Sequence, residues 1–121
     1  MAKIYRVFTL ANNTDVTYSD VSIYGNRTVF LAGEPLYDET EVYYSDFLET
    51  IQLTDNFAEE YFPQIFQDRI VWQQAVGDRT TEIFTYDGES ISNTTNAGED
   101  ILYTNLQGDG ESILYVEENM L

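Results

Sequence analysis

The chain has 121 residues, 43% of them apolar and 15% aromatic, which suits one folded domain with a moderate core and excludes a disordered acidic tail. Its 22 acidic residues against 5 basic ones give a net charge of −17, a field that repels nucleic acid and anionic membrane surfaces and leaves a cationic partner, bound cations or plain solubility as its uses. With no cysteine and no histidine, disulfides, thiol catalysis, Cys/His zinc sites and histidine-based triads are excluded within the chain.

The first predicted strands lie in the half-unit 3–18, which opens on "KIYRVFT". This start lacks the long apolar region of a signal peptide, and no apolar run in the chain approaches about 20 residues. A cytoplasmic protein without membrane attachment is therefore expected. "DVSIYGNRTVFLA" (20–32) follows, a short strand, a Gly-Asn turn and a strongly apolar strand. "EVYYSDFLETIQLT" (41–54) supplies two more strands and completes a four-strand unit over 20–54.

The same order then returns. "FPQIFQDRIVWQQ" (62–74) repeats the first pair of strands, and "EIFTYDGESISNTT" (82–95) repeats the second, giving a unit over 62–95. Glu41 matches Glu82, Val42 matches Ile83, Asp46 matches Asp87 and Thr54 matches Thr95 at an offset of 41. For 55–67 the alternative is a short amphipathic helix carrying Phe57, Tyr61 and Phe62, which Pro63 interrupts. "YTNLQGDGESILYVE" (103–117) starts the order a third time, as a half-unit over 101–117, with Leu106 set against Ile65 and Leu114 against Val71. Ile4-Tyr5 in turn matches Val42-Tyr43, so the first half-unit has the character of third and fourth strands. Four short strands every ~41 residues is the period of a propeller blade.

Pro63-Gln64-Ile65, Arg69-Ile70-Val71-Trp72-Gln73 and Glu82-Ile83-Phe84-Thr85-Tyr86-Asp87-Gly88 resemble TolB-like, six-bladed-type β-propeller repeats. The likeness is fullest over the second unit. The first has Phe30 in place of Trp72, and the third has Tyr115 there and Thr104 in place of the proline. The resemblance implies an all-β propeller of about three four-stranded units per chain. It does not select a function, because such folds serve as scaffolds, carbohydrate binders and non-catalytic interaction modules. Three blades are too few to close a ring, whereas two chains supply six. A homodimer that pairs the terminal half-unit of one chain with that of the other is the expected assembly.

Trp72 is read as core between neighbouring blades rather than a sugar platform, since aromatic Phe30 and Tyr115 occupy its place in the other units. Asp46 and Asp87 are read as turn residues rather than calcium ligands, since no EF-hand-type loop surrounds them. Glu59-Glu60 and Glu117-Glu118 are carboxylate pairs whose placement sequence does not fix. No Gly-x-Ser-x-Gly motif occurs. In this architecture first strands line a central channel, so Ser22, Gln64 and Asn105, each directly before a matched apolar residue, are the candidate ligand-facing groups. The expected function is a non-enzymatic, self-assembling binding scaffold that needs no cofactor or metal. A lectin-like carbohydrate binder is the alternative, and a piece of a longer array or a reconstructed propeller is a third reading. A protein or carbohydrate ligand stays open.

Overall fold

The computed structural model describes residues 15–34, 40–46, 48–56, 58–77, 80–95, 101–108 and 112–119; of 101–105, 118 and 119 it describes the backbone alone. Of the half-unit expected over residues 3–18, residues 3–14 lie outside these, and Thr17 and Tyr18 belong instead to the first strand of the following unit. Every regular element described is a β-strand, and the strands form three antiparallel sheets of four, four and two, none closed into a barrel.

The first sheet is a meander of β1 (Thr17–Tyr24), β2 (Arg27–Gly33), β3 (Glu41–Ser45) and β4 (Thr50–Gln52). The second repeats it with β5 (Glu60–Phe66), β6 (Arg69–Ala75), β7 (Thr81–Tyr86) and β8 (Ile91–Asn93). The third contains β9 (Ile101–Gly108) and β10 (Ile113–Asn119). The segment weighed as a helix is therefore strand from Glu60 onward. β2 and β6, rich in β-branched and aromatic residues, are the most buried strands, while the short outer strands β4 and β8 are exposed throughout.

The repeat extends to backbone irregularities that composition does not reveal. In the first sheet Asp20 and Val21 bulge opposite Phe30, in the second Phe62 and Pro63 bulge opposite Trp72, and in the third Asn105 and Leu106 bulge opposite Tyr115. Asp20 and Phe62, the leading bulge residues of the four-stranded sheets, both have positive φ, 53° and 51°. A bulge also accommodates Pro63, whose missing N–H breaks no ladder bond there. The two-residue loops Gly25-Asn26 and Gln67-Asp68 match as well, with φ of 62° at Gly25 and 54° at Gln67.

Side chains on successive sheets interleave in a fixed order. Val29, Leu31 and Val42 of the first sheet pack against Ile65, Ile70 and Trp72 of the second. Phe66, Val71 and Ile83, on the second sheet's other face, pack against Leu106 and Ile113 of the third. Ile70 and Trp72 thus face one way and Val71 the other, as strand alternation requires. Trp72 is fully buried and stacks on its cross-strand partner Phe84 at 6.2 Å, and Phe30 stacks on Tyr43 at 5.8 Å in the corresponding pair. At the second seam Gly108 lets Phe66 approach closely. A Cβ there would stand 2.7 Å from both the Phe66 ring and the Ser112 carbonyl.

Candidate functional site

Two of the three candidate ligand-facing residues, Ser22 and Gln64, make hydrogen bonds between sheets. Ser22 Oγ, on β1, accepts the backbone N–H of Ile65 on β5 at 3.2 Å. Gln64 Nε2, on β5, donates to the Leu106 carbonyl on β9 at 2.7 Å. Two counterparts, 42 residues apart, therefore perform the same task at successive seams.

Asn105 does not complete this series. Ser22 pairs with Val29 and Gln64 with Val71, and the residue that pairs with the equivalent Leu114 is Gln107. Asn105 falls in the bulge, at the register position of Asp20 and Phe62. Matching Leu106 to Ile65 by hydrophobicity puts the third unit two residues out of register. The true counterpart of Ile65 is Gly108, whose missing side chain is compensated by Phe66.

The aspartates at the ends of β3 and β7 make equivalent turns. Asp46 Oδ1 accepts the amides of Leu48 and Glu49, both at 3.0 Å, and Asp87 Oδ1 accepts those of Glu89 and Ser90, both at 2.9 Å. The Glu49 and Leu48 amides hold the Asp46 carboxyl below the ordinary carboxylate value, and those of Ser90 and Glu89 do the same for Asp87. A second paired device ties down the fourth strands. Thr54 Oγ1 accepts the Val42 amide at 2.9 Å, and Thr95 Oγ1 accepts the Ile83 amide at 3.0 Å.

Among the described residues, two features could receive a ligand. One is a groove of about 210 Å³ at the turn end of the first seam, walled by Tyr44, Ile70 and Tyr86 and edged by Arg27, Asp46 and Asp68. Arg27 Nη2 donates to the Gln67 carbonyl and so closes one end of it. The rings and the mixed charges can take an apolar face and several hydroxyls together. Trp72 lies outside this groove and is sealed from solvent.

The other is a carboxylate cluster at the opposite end of the same seam. Glu41 accepts the Thr54 hydroxyl on Oε2 and the Asn56 amide on Oε1. Beside it Glu60, only 2% exposed, has its carboxyl pushed up to about 7, first by burial and then by the charge of Glu41. Thr54 and Asn56 offset part of that shift, yet neither Glu60 oxygen has a hydrogen bond of normal geometry. Neighbouring Glu59 is exposed and takes the Tyr61 hydroxyl, whose pKa rises to about 12 mainly through that bond. From sequence these two glutamates form one carboxylate pair of unfixed placement. The alternation of β5 separates them, and the tyrosines at the register positions of Glu60, Tyr18 and Tyr103, were the signal that one was exceptional. Among the described residues no group of three or more Asp, Glu, His or Cys gathers around a common point.

No protein-family profile, curated protein or solved structure matches the chain.

Proposed function

We propose that the protein is a non-enzymatic, self-assembling scaffold of propeller-like units in which two copies complete one ring. The observation that carries this reading is a contrast between equivalent residues. Val71 is fully buried in the seam between the second and third sheets, whereas its counterpart Leu114 on β10 is 71% exposed. At the other end Ile65 is 5% exposed and its counterpart Ile23 on β1 is 64% exposed. Each terminal sheet thus presents the half of a seam that the chain fills elsewhere.

The third sheet reproduces the first two strands of the four-stranded units. The sequence at residues 3–9 resembles a third strand, so a second copy's residues 3–9 are the natural neighbour for β10. Pairing there, together with stacking of β10 against the β1 face of the partner, covers Leu114 and Ile23 in one event. Sedimentation or light scattering tests this: the reading expects twice the chain mass and abandons the ring if the chain stays single at micromolar concentration.

The groove at Tyr44 and Tyr86 favours a second reading, a lectin-like module that binds carbohydrate between sheets. Titration with simple sugars, followed by tyrosine fluorescence, separates it from a scaffold without a sugar ligand. Saturable quenching that Tyr86→Ala abolishes supports the carbohydrate reading, and an unchanged spectrum counts against it.

A further inference from the structure

Among the described residues, the buried side-chain oxygens without a hydrogen-bond partner are Oγ1 of Thr28 and both carboxyl oxygens of Glu60. An unpartnered buried carboxylate is strongly unfavourable unless something neutralises it. The repeat itself does not call for acid at this place. Glu60 pairs with Gln74, and the residues in the same register, Tyr18 opposite Ala32 and Tyr103 opposite Glu117, are tyrosines. The carboxylate is therefore a local addition to the first seam.

A second carboxylate and a hydroxyl stand beside it. Glu41 is fixed by the Thr54 hydroxyl at 2.5 Å and the Asn56 amide at 3.1 Å. The Thr54 and Asn56 side chains also lie against Glu60. Asn56 Oδ1 accepts the Ala58 amide at 2.8 Å, which uses one of its two lone pairs. Two carboxylates and a hydroxyl suit a hard cation, with water filling the rest of a shell of roughly six to eight oxygens. The net charge of −17 raises the cation concentration around the chain.

We propose that Glu41 and Glu60, with the Thr54 hydroxyl, form a site for a hard divalent cation of the calcium type. The ion would join β3 of the first sheet to β5 of the second and satisfy the Glu60 oxygens. Protons compete for the same oxygens, so affinity falls as pH falls. The site lies wholly within one chain and does not depend on the ring.

Thermal unfolding of the full chain at about pH 8, first with EDTA and then with calcium chloride, tests the proposal. Calcium is expected to raise the midpoint of the wild type and of the exposed control Glu59→Gln by several degrees. Glu60→Gln should melt above the stripped wild type and show no calcium response. Calorimetric titration of the wild type should give one site per chain, weakened about tenfold or more in Glu41→Gln. An equal calcium response in Glu60→Gln would assign binding to the general acidic surface and overturn the proposal. So would a wild type indifferent to calcium whose infrared spectrum shows a protonated carboxyl that Glu60→Gln lacks, because a proton alone then neutralises the group.

Discussion

Glu60 shows how one side chain can set a pH dependence. Its carboxyl has an ordinary value of 4.5 in the unfolded chain and about 7 in the folded one. The folded state therefore binds the proton more tightly, so this contribution to stability is fully present below pH 4.5 and is lost as pH rises through 7. With divalent cations removed, Glu60→Gln should match the wild type near pH 4.5 and exceed it by about 1–3 kcal/mol at about pH 8. Paired urea titrations at the two pH values check this, and a difference that does not change with pH counts against it. Gln67 makes a backbone prediction. It holds φ at 54° where the matching loop of the first sheet uses glycine. Gln67→Gly should stabilise the protein by about 0.5–1 kcal/mol, seen as a higher urea midpoint at unchanged slope. The carbonyl that accepts Arg27 is retained in that variant.

At the scale of strands, much of the architecture is legible in the sequence because alternation and turn chemistry are local signals. The apolar run Ile70-Val71-Trp72, the Asp87-Gly88 turn and the Thr54/Thr95 match identified four strands per unit, and the hydrogen bonds of Asp46, Asp87, Thr54 and Thr95 show why those polar residues repeat. The bulges were not legible. An inserted residue reverses the inward and outward alternation, so Glu60 is buried while Phe62 is exposed. The same effect hid Gln107 behind Asn105 in the third sheet. What Ser22 and Gln64 touch was also beyond sequence, because their partners lie 43 and 42 residues away on another sheet. The Gln64 contact yields a prediction for elements. Gln64→Ala removes the side-chain donor to the Leu106 carbonyl, which should speed amide hydrogen exchange in β9 and β10 by about threefold to tenfold and leave β2 and β3 unchanged. Equal acceleration in all three sheets would show that the bond does not act locally.

The described residues form three sheets joined by two packed seams, and the two outer sheets carry exposed apolar side chains. Leu114 and Val116 stand exposed on β10, and Val21 and Ile23 on β1. Their exposure is explained if one copy's β10 face meets the next copy's β1 face as the internal sheets meet each other. A charge placed in that contact should then separate the copies without disturbing the internal seams, where Trp72, Val71 and Ile83 are fully buried. The most direct test is the mass in solution of the wild type and of Leu114→Glu, measured by light scattering at micromolar concentration and moderate salt. The account predicts twice 14.0 kDa for the wild type and 14.0 kDa for Leu114→Glu, with the same far-ultraviolet spectrum for both. A wild type that remains at 14.0 kDa, or a Leu114→Glu variant that assembles as the wild type does, would contradict it.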